Sequence, residues 1–189
     1  MPLAALLMIA LLYIDIYDVS TPQNAKKIKS LSQSGIYKTS RFTNGYLYTF
    51  SAHLIMGECK NEKEISEYIP SVNGKTMKEN KIQKIVDDPV NSYVVMTSVN
   101  LAKPDDFSDT AAVLSDYTTY YMSTSHLYLA NTIYEQFLWS NSTKTAISKF
   151  EYKDGAFSYQ TTKKVKGQIN DSYYMHEYKG NFAFVYTDW

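Results

Sequence analysis

The chain is short of several things, and each shortage excludes something. It has one cysteine, Cys59, in 189 residues. No intrachain disulfide is possible, which leaves the redox compartment open. Cys59 lies in a polar stretch with no histidine near it in sequence, a poor setting for a nucleophilic thiol. Arg41 is the only arginine, and Lys+Arg balances Asp+Glu at 19 each, for a net charge of zero. Nucleic-acid binders carry a basic excess or stripe, and neither is visible. The two signs are interspersed, so there is no polybasic patch for a membrane surface. Long apolar runs are also missing. Leu3–Leu12 supplies ten apolar residues, against about 20 for a spanning helix, so no transmembrane segment is expected. No Lys or Arg precedes Lys26 and no small-residue cleavage site follows, so the run lacks the marks of a signal peptide. It reads as a buried strand, or as an accidental start inside a longer protein.

Motifs with a chemical mechanism are absent too. No glycine-rich phosphate loop, no H-E-x-x-H and no nucleophile elbow occurs. The three histidines, His53, His126 and His176, stand far apart without metal-ligand spacing. The sequence therefore points to no cofactor, no metal and no catalytic residue. No convincing amphipathic helix is present either.

What the chain has in quantity is aromatic: 18 Tyr, 8 Phe and 2 Trp. Tyrosine suits a half-buried pleated surface, with an apolar ring and a polar tip at the rim. A stacking platform for sugars or peptides is the sharper alternative. The tyrosines recur in a pattern. TTYYMSTSHLYLANT at Thr118–Thr132 has relatives in IYKTSRFTNGYLYTF at Ile36–Phe50 and SYYMHEYKGNFAFVY at Ser172–Tyr186. Each reads as two short strands about a tight turn. Asn44-Gly45 and Lys179-Gly180 supply glycine where such a turn needs positive φ. Repetition of one hairpin implies a repeat architecture.

The strands fall into groups of four. One group is 36–42, 46–51, 93–101 and 111–114, and the next is 119–124, 127–133, 145–152 and 156–162. Strands at 11–17 and 25–31 precede them, the second with the lysines of an outer edge. Residues 135–142 read as a connection. The polar stretch 56–80 reads as a long loop within the first group. This pattern predicts an all-β fold, a partial β-propeller of four-stranded antiparallel blades, about three blades' worth and not closed. Residues 1–189 would form part of one propeller domain: outer strands of a blade at 1–35, blades at 36–115 and 116–165, and the start of another at 166–189. A closed propeller has typically about 4–8 blades, so the chain is expected to be a fragment whose partners include the remaining blades of a longer parent.

IYDVSTPQNAKKIKSLSQSGIYKTSRFTNGYLYTF resembles the bacterial secreted β-propeller domain proteins, distantly related to WD40 repeats. Their D-[IV]-S-x-P turn is matched by Asp18, Val19, Ser20 and Pro22. Their G-x-Y-x-[ST]-S-R strand is matched by Gly35, Tyr37, Thr39 or Ser40, and Arg41, and their Y-L-Y strand by Tyr46, Leu47 and Tyr48. YVVMTSVNL, YYMSTSHLYLA, ISKFEYKDGAFSY and YYMHEYKGNFAFVYT are similar as well, with His176 where the family more often has Asp. The resemblance spans most of residues 11–189, and its motifs are structural. It implies an exported or surface-attached bacterial protein.

Three residues stand out as ligand-binding candidates. Arg41, on an innermost strand, could face the channel or pair with a carboxylate of a neighbouring blade, since a buried charge needs a partner. Glu177 lies at nearly the same place in the third hairpin and suits an ion pair or a channel position. His176 adjoins it. Paired carboxylates at about 5–9 Å would suggest glycoside hydrolysis, but Glu177, Asp171 and Asp116 cannot be paired from sequence. The expected function is a non-enzymatic propeller module binding a protein or a glycan. The alternative is a fragment of a propeller hydrolase or lyase acting on polysaccharide or peptide.

Overall fold

The structure, a computed structural model, describes residues 10–55, 68–85, 90–116, 119–137 and 140–188, with backbone alone for 135–137 and 140–141. Cys59, most of the apolar run at 3–12 and the 56–67 part of the polar stretch lie outside the described residues. The chain divides into two compact units, Met1–Leu114 and Ser115–Trp189.

In the first unit, β1 (Leu11–Asp18) and β2 (Lys26–Ser34) form an antiparallel pair, joined through a 3-10 turn at Pro22–Asn24. Asp18 Oδ1 accepts from the Ser20 backbone N–H at 2.9 Å, so the D-V-S-T-P turn is fixed by its own side chain. β3 (Ile36–Thr43) and β4 (Tyr46–Leu54) follow as the first repeat hairpin. Asn44 (φ 50°) and Gly45 (φ 83°) supply the turn. β5 (Ser71–Val72) and β6 (Lys75–Thr76) then return to the first sheet, giving the order β1-β2-β5-β6. β7 (Ile82–Lys84), β8 (Ser92–Asn100) and β9 (Asp109–Leu114) complete a second sheet, β3-β4-β8-β9-β7.

Three expectations need correction here. The polar stretch is not loop throughout, because Asn73-Gly74 turns a small hairpin inside it, with φ of 47° and 71°. β2 is an edge over its lysine-bearing half only, since β5 pairs with it at Gln33↔Val72. The group of four containing 111–114 is a five-stranded sheet, because β7 adds parallel to β9.

The two sheets of this unit share a core. Ile14 and Leu31 of the first pack with Val99 of the second, while Val95, Ala112, Tyr93 and Met77 form another cluster. β8 is buried along eight of its nine residues, which explains its nearly unbroken run of Val, Met and small residues. Between the sheets lies a satisfied polar network. Gln33 Nε2 donates to Ser51 Oγ at 2.8 Å, Thr97 Oγ1 donates to Gln33 Oε1, and Ser51 Oγ donates to the Ser34 carbonyl at 2.7 Å.

The second unit contains one four-stranded antiparallel sheet: β10 (Thr119–Met122), β11 (His126–Phe137), β12 (Ser140–Lys153) and β13 (Ala156–Lys166). Residues 135–142 are not a plain connection. β11 and β12 stay paired through Phe137↔Ser140. Asp154 and Gly155 turn the next hairpin, with φ of 50° and 84°. β14 (Met175–Tyr178) and β15 (Asn181–Phe184) form a two-stranded hairpin whose inner side packs on the sheet. Met175, Ile169, Tyr128, Ala130 and Ile147 are buried together there, with Phe182 and Phe184 against them.

Candidate functional site

The period of two along β11 and β12 places His126, Tyr128 and Lys149 on one face of the second unit's sheet. Tyr121 of β10 is directly opposite Tyr128, and Tyr128 is directly opposite Lys149, so the three form a cross-strand row. Onto this row β14 lowers Glu177. Its neighbour across the hairpin, Phe182, stacks on the Tyr128 ring with centroids 4.0 Å apart and planes within 5°. Lys149 Nζ lies 5.5 Å from the centroid of the same ring.

The Glu177 side chain is only 9% exposed, and the groups around it are donors. His126 Nδ1 is 3.0 Å from Oε1 and 3.1 Å from Oε2. An ionised carboxylate only accepts, so Nδ1 carries the hydrogen, and Ser125 Oγ at 3.1 Å then serves it as a second acceptor. Lys149 Nζ is 4.0 Å from Oε1. The Ser123 hydroxyl donates to the carboxylate, while Ser123 Oγ accepts from the backbone N–H groups of His126 (2.9 Å) and Ser125 (3.3 Å). The Glu177 backbone N–H donates to Tyr121 Oη at 2.9 Å. Burial pushes the Glu177 pKa up, but Ser123, His126 and Lys149 outweigh it and hold the carboxyl below its ordinary value. Burial, reinforced by the Glu177 charge, pushes the Tyr128 phenol well above the usual tyrosine range. The Tyr128 hydroxyl is buried beside the carboxylate and, among the described residues, has no hydrogen-bond partner at acceptable geometry.

Chemically this is a clamp. The carboxylate is held ionised and is occupied by the protein's own donors. It fastens the β14–β15 hairpin to the sheet through one strong charged centre and a flanking aromatic stack.

The sequence candidates fare differently. Glu177 is at the centre of the cluster. His176, next along an alternating strand, points the other way and is exposed, though its ring centroid is 6.4 Å from that of Tyr121. Arg41 is exposed on β3. Its counterpart by turn position is His176 rather than Glu177: Arg41 pairs with Tyr48 three residues past Gly45, as His176 pairs with Ala183 three residues past Gly180. An offset of one residue exchanges faces. Asp171 is exposed and caps the 3-10 turn at Ser172–Tyr174, accepting from Tyr173 N–H at 3.0 Å. His126, Lys149, Ser123 and Tyr128 went unrecognised in sequence; His126 was the nearest to a signal, standing at the turn of the second hairpin.

Among the described residues, no three His, Cys, Asp or Glu converge as a metal site, and no helix is long and apolar enough to cross a membrane. The first unit has an open apolar cleft of about 380 Å³ lined by Ile69, Met77, Ile82, Tyr93 and Leu114. No curated protein matches the sequence. The match to a known family is nevertheless extensive and agrees with the repeated hairpins and antiparallel sheets: residues 6–189 match the family described as Beta propeller domain, and the chain belongs to it.

Proposed function

We propose that this chain is part of one propeller domain that acts as a non-enzymatic binding module, in an exported or surface-attached bacterial protein, with a protein or a glycan as ligand. The observation that carries the reading is the aromatic surface of the β14–β15 hairpin. Glu177 and Phe182 face the sheet, so the alternate residues His176 and Tyr178 of β14 face away from it, and Tyr174 and Val185, just beyond the two strands, are exposed. Tyr178 is 63% exposed, and Tyr173, in the preceding turn, is 93% exposed. Exposed aromatics in a contiguous group are a feature of recognition surfaces. A hydrolase or lyase has less in its favour, because the one carboxylate of the cluster is already occupied by internal donors.

The test is binding of the whole chain to panels of immobilised glycans and proteins. The double substitution of Tyr174 and Tyr178 by Ala should weaken capture of any ligand found by about tenfold or more, with thermal melting unchanged. Turnover of a polysaccharide or peptide that disappears in Glu177→Gln without unfolding would overturn the reading.

A further inference from the structure

Two turns of the first unit are built on the same dipeptide. Asn44-Gly45 joins β3 to β4, and Asn73-Gly74 joins β5 to β6. Their backbones nearly coincide, with φ of 50° and 83° in the first and 47° and 71° in the second. All four residues are exposed, and neither glycine has an atom within 4 Å of the place a Cβ would take. The dipeptide is reactive for a simple reason. A glycine has no side chain to shield its backbone nitrogen, and the carbonyl carbon of the preceding asparagine amide lies one small ring closure away. Space and backbone conformation do not separate the two turns.

Their hydrogen bonds do. Asn73 is held at three points. Its Oδ1 accepts from Ser32 N–H at 3.0 Å, its Nδ2 donates to the Asp106 carboxylate at 2.8 Å, and its own backbone N–H donates to the Ser32 carbonyl at 2.8 Å. Among the described residues, no hydrogen bond holds the Asn44 amide. At that turn the Gly45 carbonyl accepts from Leu101 N–H at 3.0 Å, a bond that involves neither the Gly45 nitrogen nor the Asn44 side chain.

We propose that Asn44 is a site of spontaneous covalent modification, a deamidation, and that Asn73 is protected from it by its own hydrogen bonds. The Gly45 nitrogen gives up its proton to solvent and attacks Asn44 Cγ. A C–N bond forms, the bond from Cγ to the amide nitrogen breaks, and ammonia leaves with a proton returned from solvent. Water then opens the cyclic imide. Opening at the former side-chain carbonyl gives aspartate, and opening at the Asn44 backbone carbonyl gives isoaspartate, with the chain routed through the side chain. One water is consumed and one ammonia released. Ring closure needs the turn to open locally. At Asn73 that opening must also break the bonds to Ser32 and to the charged Asp106, which should slow the reaction by about tenfold or more. The product adds a negative charge to a chain of net charge zero. Isoaspartate also adds a backbone atom inside the two-residue turn that sets the Thr43↔Tyr46 register.

The test holds the whole folded chain in mildly alkaline buffer and samples it over weeks by peptide mapping with mass spectrometry. The peptide containing Asn44 should gain about 1 Da, and should do so about tenfold or more faster than the peptide containing Asn73. Amide exchange at Leu101 should speed up in the modified fraction. In urea the two rates should converge, since the fold alone separates them. Asp106→Ala releases the Asn73 amide at one end, and should raise the Asn73 rate in the folded chain while leaving Asn44 as it was. Equal rates in the folded wild type, or faster modification of Asn73, would overturn the proposal. So would a ratio that persists in urea, which assigns the difference to flanking sequence. An Asn73 rate unmoved by Asp106→Ala would overturn the protective role. No gain at Asn44 in the folded chain, while the unfolded chain converts fully, would overturn the site itself.

Discussion

Replacing Glu177 by Gln keeps the shape of the side chain and removes its charge. The carboxylate is 9% exposed, accepts from Ser123 and His126, and has Lys149 at 4.0 Å. A hydrogen bond to a charged group contributes about 1.5–3 kcal/mol net. The amide oxygen can keep one of the two donors, but the amide NH2 then opposes the other. The expected loss is about 2–3 kcal/mol, or a fall in Tm of about 4–12 °C for a chain of this size. The pH dependence carries the sharper test. The Glu177 pKa is depressed on folding, so its contribution is present above the ordinary value of 4.5 and is lost as pH falls through the lower folded value. Melting curves of wild type and variant should differ fully above about pH 5.5 and converge in acid. A difference below about 0.5 kcal/mol at neutral pH, or one that persists unchanged in acid, would refute the clamp.

Two further outcomes are expected. Gly35 has φ of 103°, and an added Cβ would meet the Ala52 carbonyl carbon and oxygen at 2.6 Å, whereas Gly45 (φ 83°) has nothing within 4 Å. Gly35→Ala should cost about 3 kcal/mol or more and Gly45→Ala about 1 kcal/mol, read from urea midpoints; equal costs would show that the Ala52 backbone yields. Asn73 Oδ1 accepts from Ser32 N–H at 3.0 Å, and its Nδ2 donates to Asp106 at 2.8 Å. Asn73→Ala should therefore speed amide exchange across Ser71–Thr76 and lower stability by about 1–2 kcal/mol, and unchanged exchange would show that the small hairpin is held by other means.

The repeated hairpins were legible because their signals are local. In the first and third, a glycine after Asn44 or Lys179, flanked by tyrosine and β-branched residues, specifies turn, register and strand together, and the second, with Ser123, Thr124 and Ser125 at its turn, shares only the flanking residues. Asn73-Gly74 carries the same signal, but its flanking strands have two residues each and show no alternation, so the polar composition hid them. The parallel addition of β7 was hidden because no nearby residue marks it. The Glu177 cluster depends on pairing between residues 51 and 28 positions apart, Glu177 with His126 and with Lys149. Nothing near Glu177 in sequence reveals that His126 and Lys149 share a face, since that follows from the β11–β12 register. The comparison of Arg41 with Glu177 failed by a single residue, and in a pleated strand one residue decides between inside and outside.

The order in which the first unit lays down its strands has a consequence for its assembly. The polypeptide starts one sheet, builds a hairpin of the other, goes back to complete the first and then returns to finish the second. The two sheets are thus stitched by a single thread, and the tie at Gln33↔Val72 closes only after an entire hairpin has intervened. Repeat proteins of simple order can lose or gain units singly. Here a cut between residues 35 and 36 would yield two torn pieces, so the smallest portion able to stand alone is the pair of sheets together.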